Sequence, residues 1–134
     1  CLVHWFSKMQ RSVSLSSAEA EYFGAMMAAR DIMWLRDLLV DLGVKFDGPC
    51  VLWSDSKSAV DMSLDPIAFK NTKHILRATY FLRDLVARMC VAMRHVAGRV
   101  MIADVLTKSV SRQLYLELLR LFDAYAADGV VCPA

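Results

Sequence analysis

Residues 50–62 read CVLWSDSKSAVDM, an apolar run that ends at Ser54 and Asp55 and passes at once into a short helical pattern. The β-branched and aromatic residues of this run follow the turn-forming Asp47, Gly48 and Pro49, and together they predict a buried strand. The following SKSAVDMSL, residues 56–64, predicts a short helix. A strand that feeds directly into a helix is the basic joint of an α/β fold, and such folds gather functional groups at the carboxyl ends of their strands. Asp55 stands at that joint.

Toward the amino terminus, residues 17–42 carry a long helical pattern with a serine cap, Glu19 and Glu21 near its start and Gly43 as its stop. Before it, LVHWF and VSLSS read as two short strands separated by the polar SKMQRS, a hairpin-like pattern. Toward the carboxyl terminus, DPIAFKNT is a loop, KHILRATYFLRDLVARM a second long helix and CVAMRHV another strand. A short helical turn around ADVLTKSV and an amphipathic helix over SRQLYLELLRLFDAY, capped by Ser111, complete the pattern, with residues 123–134 as a tail. The expectation is one α/β domain over residues 1–134.

Composition narrows the function classes. At 134 residues, with 57% hydrophobic and 22% charged residues and only five Gly and three Pro, the chain has the makings of a single packed core and excludes low-complexity readings. A net charge of +2 implies no nucleic-acid partner by bulk electrostatics, so such a case rests on local charge. Mean hydropathy is high at +0.37, yet no window offers the run of about 18 uncharged apolar residues that a membrane span requires. The amino terminus has no secretory-signal pattern. Cys1, Cys50, Cys90 and Cys132 form no CxxC or Cys/His cluster, which fits a reducing, intracellular setting. There is no GxGxxG, Walker A, GxSxG or HExxH motif, so no small-molecule cofactor is expected.

Several carboxylates stand in unusual places. At 100° per residue, Glu19, Arg30, Asp37 and Asp41 fall within about 40° of one another on the first long helix, as a solvated stripe should. Glu21 falls on the opposite side, in line with Ala25, Ala28, Ile32, Leu35 and Leu39, where the apolar face meets the sheet. Its plain alternative is a water-exposed acid helped by the helix dipole. Asp55 closes a strand and Asp104 begins a helical turn in MIADVLTK; for each the plain alternative is a helix cap. Three acids from separate elements, brought together, make a hard-oxygen site for Mg²⁺ or Mn²⁺. His95, at the end of the last predicted strand, is a candidate for proton transfer or a structural histidine. Lys70, Lys73, His74 and Arg77 lie in an acid-free basic stretch between Pro66 and Arg83, readable as a phosphate-tracking surface or as a solvated face.

These blocks, taken in order, carry a resemblance. SKMQRSVSLSSAEAEYFGAMMAARDIMWLRDLL, LWSDSKSAVDM, NTKHI with RATYFLRD, and RHVAGRVMIADVLTK resemble the successive motifs of the RNase H domain in copia-type LTR retrotransposon polyproteins. The resemblance runs across roughly residues 5 to 122; SSAEAEY, DSKSA, TKHI and ADVLTK are specific together and weak singly. It implies an RNase H-like fold, a mixed β-sheet flanked by helices. It also implies metal-dependent endonucleolytic cleavage of the RNA strand of an RNA–DNA hybrid during reverse transcription. By the same resemblance Glu21, Asp55 and Asp104 are ligands of two divalent ions, Mg²⁺ or Mn²⁺, and His95 assists proton transfer or product release. Lys70, Lys73, His74 and Arg77 are candidates for contacts to the nucleic-acid backbone. The implied partners are the hybrid and the upstream reverse transcriptase domain of the same polyprotein. The implied setting is a cytoplasmic particle or the nucleus.

One departure has consequences. The family places its first aspartate on a central first strand, and here no Asp or Glu precedes Glu19, so that strand and its ligand are expected to lie outside this chain, whose first residue is Cys1. CVLWSD then lacks a hydrogen-bonding neighbour, and the 134 residues alone are expected to have little nuclease activity. The alternative function is a degenerate, non-catalytic module that holds the hybrid or tethers the polymerase.

Overall fold

A computed structural model describes residues 4–9, 14, 16–64 and 76–128, with side chains for all of these except 76–79 and 124–128. It divides the chain into two compact units, Ser12–His95, and Cys1–Arg11 with Val96–Ala134.

The larger unit begins with helix α1, Ser17–Asp41. Ser16, in extended conformation, caps it by accepting a 3.2 Å hydrogen bond from the Glu19 N–H on its Oγ. Gly43, at φ +86°, ends it: its N–H donates to the Val40 carbonyl and that of Val44 to the Leu39 carbonyl, both at 2.9 Å. This paired closure needs a left-handed residue, which glycine supplies without a Cβ clash. Strand β1, Cys50–Ser54, leads into α2, Lys57–Leu64, then α3, Leu76–Ala87, then strand β2, Val91–His95. The strands are parallel, paired from Cys50↔Val91 to Ser54↔His95, with α2 and α3 in the crossover.

Partnered residues share a face of the sheet. On one face lie Leu52, Ser54, Val91 and Met93, and Val91 and Met93 join Tyr22, Ala25 and Ala29 of α1, Ala59 and Val60 of α2, and Leu82 and Leu85 of α3 in one core. Alanines at the helix contacts let backbones approach closely, so Tyr22, Leu82 and Leu85 supply most of the helices' buried apolar volume. Arg36 fastens the carboxyl half of α1 to the starts of both strands. Its guanidinium donates to the carbonyls of Gly48 (3.1 Å) and Cys90 (3.4 Å) and lies 5.0 Å from the Phe46 ring centre.

The Cys50 N–H donates to the Cys90 carbonyl at 3.0 Å. In a parallel ladder this puts the peptide groups of Cys50, Leu52 and Ser54 toward β2 and those of Val51 and Trp53 on the opposite edge. Among the described residues no strand pairs with that edge.

The smaller unit holds a 3₁₀ turn, Gly98–Val100, and the helices α4, Asp104–Thr107, and α5, Arg112–Asp128. As the sequence predicts, Ser111 caps α5, its Oγ accepting from the Leu114 N–H at 3.3 Å. Leu118 is fully buried.

The α/β expectation holds: parallel strands joined through helices. The hairpin expectation does not hold over residues 4–9, which have no regular structure, with Trp5 and Phe6 exposed. A two-stranded hairpin is marginal in water unless a face packs against something, and these side chains have no such cover. Residues 2, 3, 10–13 and 15 of that pattern lie outside the described residues, and the sheet they would make mixed is, among described residues, purely parallel. The second long helix ends at Ala87, short of the predicted Met89. Met89 takes φ +55° and closes the helix through Met89 N–H to Val86 and Cys90 N–H to Leu85 carbonyl bonds. That is the closure Gly43 provides for α1, made here by a residue that gives no glycine signal.

Tyr22 is fully buried, and loss of water around the phenolate pushes its pKa up from 10.0 to about 12, with the Arg83 charge pulling the other way. A raised folded pKa means that the unfolded chain releases this proton first as pH climbs. Stability is therefore full below pH 10 and falls as pH rises from there toward 12. Ultraviolet titration should show a tyrosine step at about pH 12 that Tyr22→Phe abolishes; absence of that late step from the unaltered chain would refute the assignment.

Candidate functional site

Asp55 occupies the joint foreseen in the sequence. β1 ends in buried Ser54, whose Oγ accepts the Ser56 N–H at 3.2 Å, and the Ser56 Oγ in turn accepts the Ala59 N–H at 3.2 Å. The serines thus form the turn and the cap of α2, and the capping role weighed for Asp55 falls to Ser56. Asp55 itself is half-buried between them, at the carboxyl end of β1.

The strand register brings a second predicted residue to the same place. Ser54 pairs with His95, so His95, exposed at the end of β2, stands level with the joint on the neighbouring strand, about 5 Å away backbone to backbone. A carboxylate and an imidazole on adjacent parallel strand ends form the arrangement in which open α/β folds present reactive groups. One can bind a cation; the other offers ring nitrogens that can accept or donate a proton.

Glu21 departs from the expectation. It lies in the second turn of α1 and is exposed, because the buried face of the helix centres on Tyr22, Ala25 and Ala29. At 100° per residue that centre is about 70° from Glu21, which puts the carboxylate on the rim of the packed face. α1 packs against β1, so Glu21 is carried by an element that adjoins the strand of Asp55.

Asp104 belongs to the smaller unit. It is the first residue of α4, and the cap position before it is Ala103, which makes no side-chain cap. The capping role weighed for Asp104 is absent. Its half-buried carboxylate instead meets Lys108 Nζ at 2.8 Å, one helical turn on. The ammonium is largely exposed, so the pair is worth at most about 1 kcal/mol and its oxygen is available by exchange.

Carboxylate oxygens are the donors that Mg²⁺ and Mn²⁺ take, so Glu21, Asp55 and Asp104 fit such an ion by donor type. Among the described residues no three His, Cys, Asp or Glu side chains gather closely enough to hold one. Lys70, Lys73 and His74 lie outside the described residues, and Arg77 falls in α3 with its side chain outside them. Sequence reasoning missed Arg36; the available signal was a cation between Leu35 and Asp37 in the second half of a long helix, with Phe46 ten residues on.

No family model matches the chain, and no solved structure matches it. Curated proteins do. The chain is 33% identical over 110 residues, 82% of its length, to the retrovirus-related Pol polyprotein from transposon RE2 of Arabidopsis thaliana. It is 32% identical over 113 residues, 84% of its length, to that from transposon RE1 of the same plant. It is 33% identical over 113 residues, again 84%, to that from transposon TNT 1-94 of Nicotiana tabacum. In each case it spans about 8% of the relative's length. Over more than four-fifths of its residues, the chain is a relative of one segment of the retrovirus-related Pol polyproteins of plant transposons.

Proposed function

We propose that the chain is the ribonuclease H segment of a copia-type retrotransposon polyprotein, hydrolysing the RNA strand of RNA–DNA hybrids when joined to its upstream strand. The observation that carries this reading is Asp55 at the carboxyl end of β1, level with His95 on the parallel neighbour, in a chain related to retrovirus-related Pol polyproteins. Glu21, Asp55 and Asp104 would hold two Mg²⁺ or Mn²⁺ ions, which when bound supply an activated water and charge neutralisation at the leaving oxygen. His95, open to solvent, takes up or delivers a proton at the leaving group and helps product depart. Lys70, Lys73, His74 and Arg77 follow the phosphates of the hybrid. The reverse transcriptase domain upstream in the same polyprotein is the intramolecular partner, in a cytoplasmic particle or the nucleus.

A labelled RNA–DNA hybrid, with Mg²⁺, offered to the chain alone and to a form extended at its amino end through the next strand, tests the reading. Cleavage by the extended form only, lost in Asp55→Asn, is expected. Hybrid binding without cleavage by either folded form would overturn the catalytic reading in favour of a module that holds the hybrid or tethers the polymerase.

A further inference from the structure

The outward side of α1 carries more apolar surface than a solvated helix face needs. Trp34 is 60% exposed and Leu38 43% exposed. At 100° per residue they share a stripe with Arg30, Asp37 and Asp41, on the side away from Tyr22, Ala25 and Ala29. Over residues 30–41 the stripe has an order: positive at Arg30, aromatic and apolar at Trp34 and Leu38, negative at Asp37 and Asp41. Turned end for end, that order complements itself.

We propose that this stripe is the contact face of a symmetric homodimer in which two α1 helices pack antiparallel, Trp34 against its copy and Arg30 beside the partner's Asp41. Placing Arg30 level with the partner's Asp41 puts the two-fold axis between residues 35 and 36. At 1.5 Å rise per residue the two indoles are then offset by about 4.5 Å along the helices, within stacking range. Each Arg30 also comes within reach of the partner's Asp37, one turn nearer the axis. Among the described residues of one chain Arg30 meets Asp31 at 3.5 Å near the surface, a contact weak enough to be exchanged. A two-fold interface of this kind uses the same patch on both copies, which is what a self-complementary stripe provides. One helix face is small for an interface, so the dissociation constant belongs at the weak end, about 10–100 µM. The proposal is independent of the nuclease reading.

Sedimentation equilibrium of the full chain, from about 1 to 300 µM, should show a mass rising from 15.1 kDa toward the dimer. Trp34→Ala is expected to weaken association about thirtyfold, as loss of a central aromatic anchor does. Arg30→Glu and Asp41→Arg are each expected to weaken it about tenfold, and the double swap to recover about threefold of that loss, because Asp37 still opposes the carboxylate introduced at position 30. All four variants alter exposed positions, and far-UV circular dichroism reports whether each is folded. A wild-type chain that stays monomeric throughout, a dimer indifferent to Trp34→Ala, or a double swap no better than the single variants would each overturn the proposal.

Discussion

Asp55→Asn in the amino-terminally extended chain is expected to lower Mg²⁺-dependent hybrid cleavage by at least about a thousandfold, with the melting temperature held within about 3 °C. The size follows from charge. Asparagine keeps the volume and one carbonyl oxygen but gives up the negative charge that a divalent cation requires of its ligand. Removing one neutral donor from an oxyanion hole already costs about 10² to 10³ in rate, and a charged metal ligand contributes more. Fold should survive, since the turn after β1 is held by the hydroxyls of Ser54 and Ser56 and not by the Asp55 carboxylate in those bonds. Measured on the extended form, a loss of less than tenfold would remove Asp55 from the chemistry. A comparable drop in hybrid affinity would instead make it a binding residue.

Leu82→Ala is expected to cost about 3 kcal/mol of unfolding free energy, read by urea denaturation at 25 °C. Leu82 is fully buried in a core whose helical contacts include Ala25, Ala29 and Ala59. Small residues leave few neighbours able to swing into a vacated volume, so the cavity persists and its cost adds to the lost transfer energy. A domain of this size has about 5–15 kcal/mol in total, so one leucine takes a large share. Leu119→Ala, at a 37% exposed position of α5, is the comparison and should cost well under half as much. Equal costs for the two would mean that the core is not organised around α3.

Local chemistry made much of this legible in the sequence. The serine caps of α1 and α5, Gly43 and the apolar run of β1 each declare themselves within a few residues, and the structure has them where expected. The positions of Asp55 and His95 were legible because each stands at the end of a predicted strand, Asp55 closing CVLWSD and His95 near the end of CVAMRHV. What failed depends on contacts that no local pattern encodes. The packed face of α1 was read from Leu35 and Leu39 as well as the alanines, which turned the predicted face toward Glu21; packing against α2 and α3 turned it toward Tyr22. Asp104 has Lys108 four residues on, a spacing visible in the sequence, yet the alternatives weighed for the aspartate were a metal ligand and a helix cap, not an ion pair. The Met89 closure gives no sequence signal, since methionine seldom takes a left-handed conformation.

The unpaired edge of β1 divides one strand into two kinds of amide. Those of Leu52 and Ser54 face β2 and are held in the ladder, whereas those of Val51 and Trp53 face outward, with no strand of the described residues across from them. In deuterated water, exchange along these residues should therefore alternate, slow and fast, with a period of two. Whatever covers the outer edge, whether an upstream strand joined in the same polypeptide or an added peptide, would slow the Val51 and Trp53 amides and leave their neighbours nearly unchanged. Two backbone protons thus report whether this sheet has been completed, without reference to catalysis.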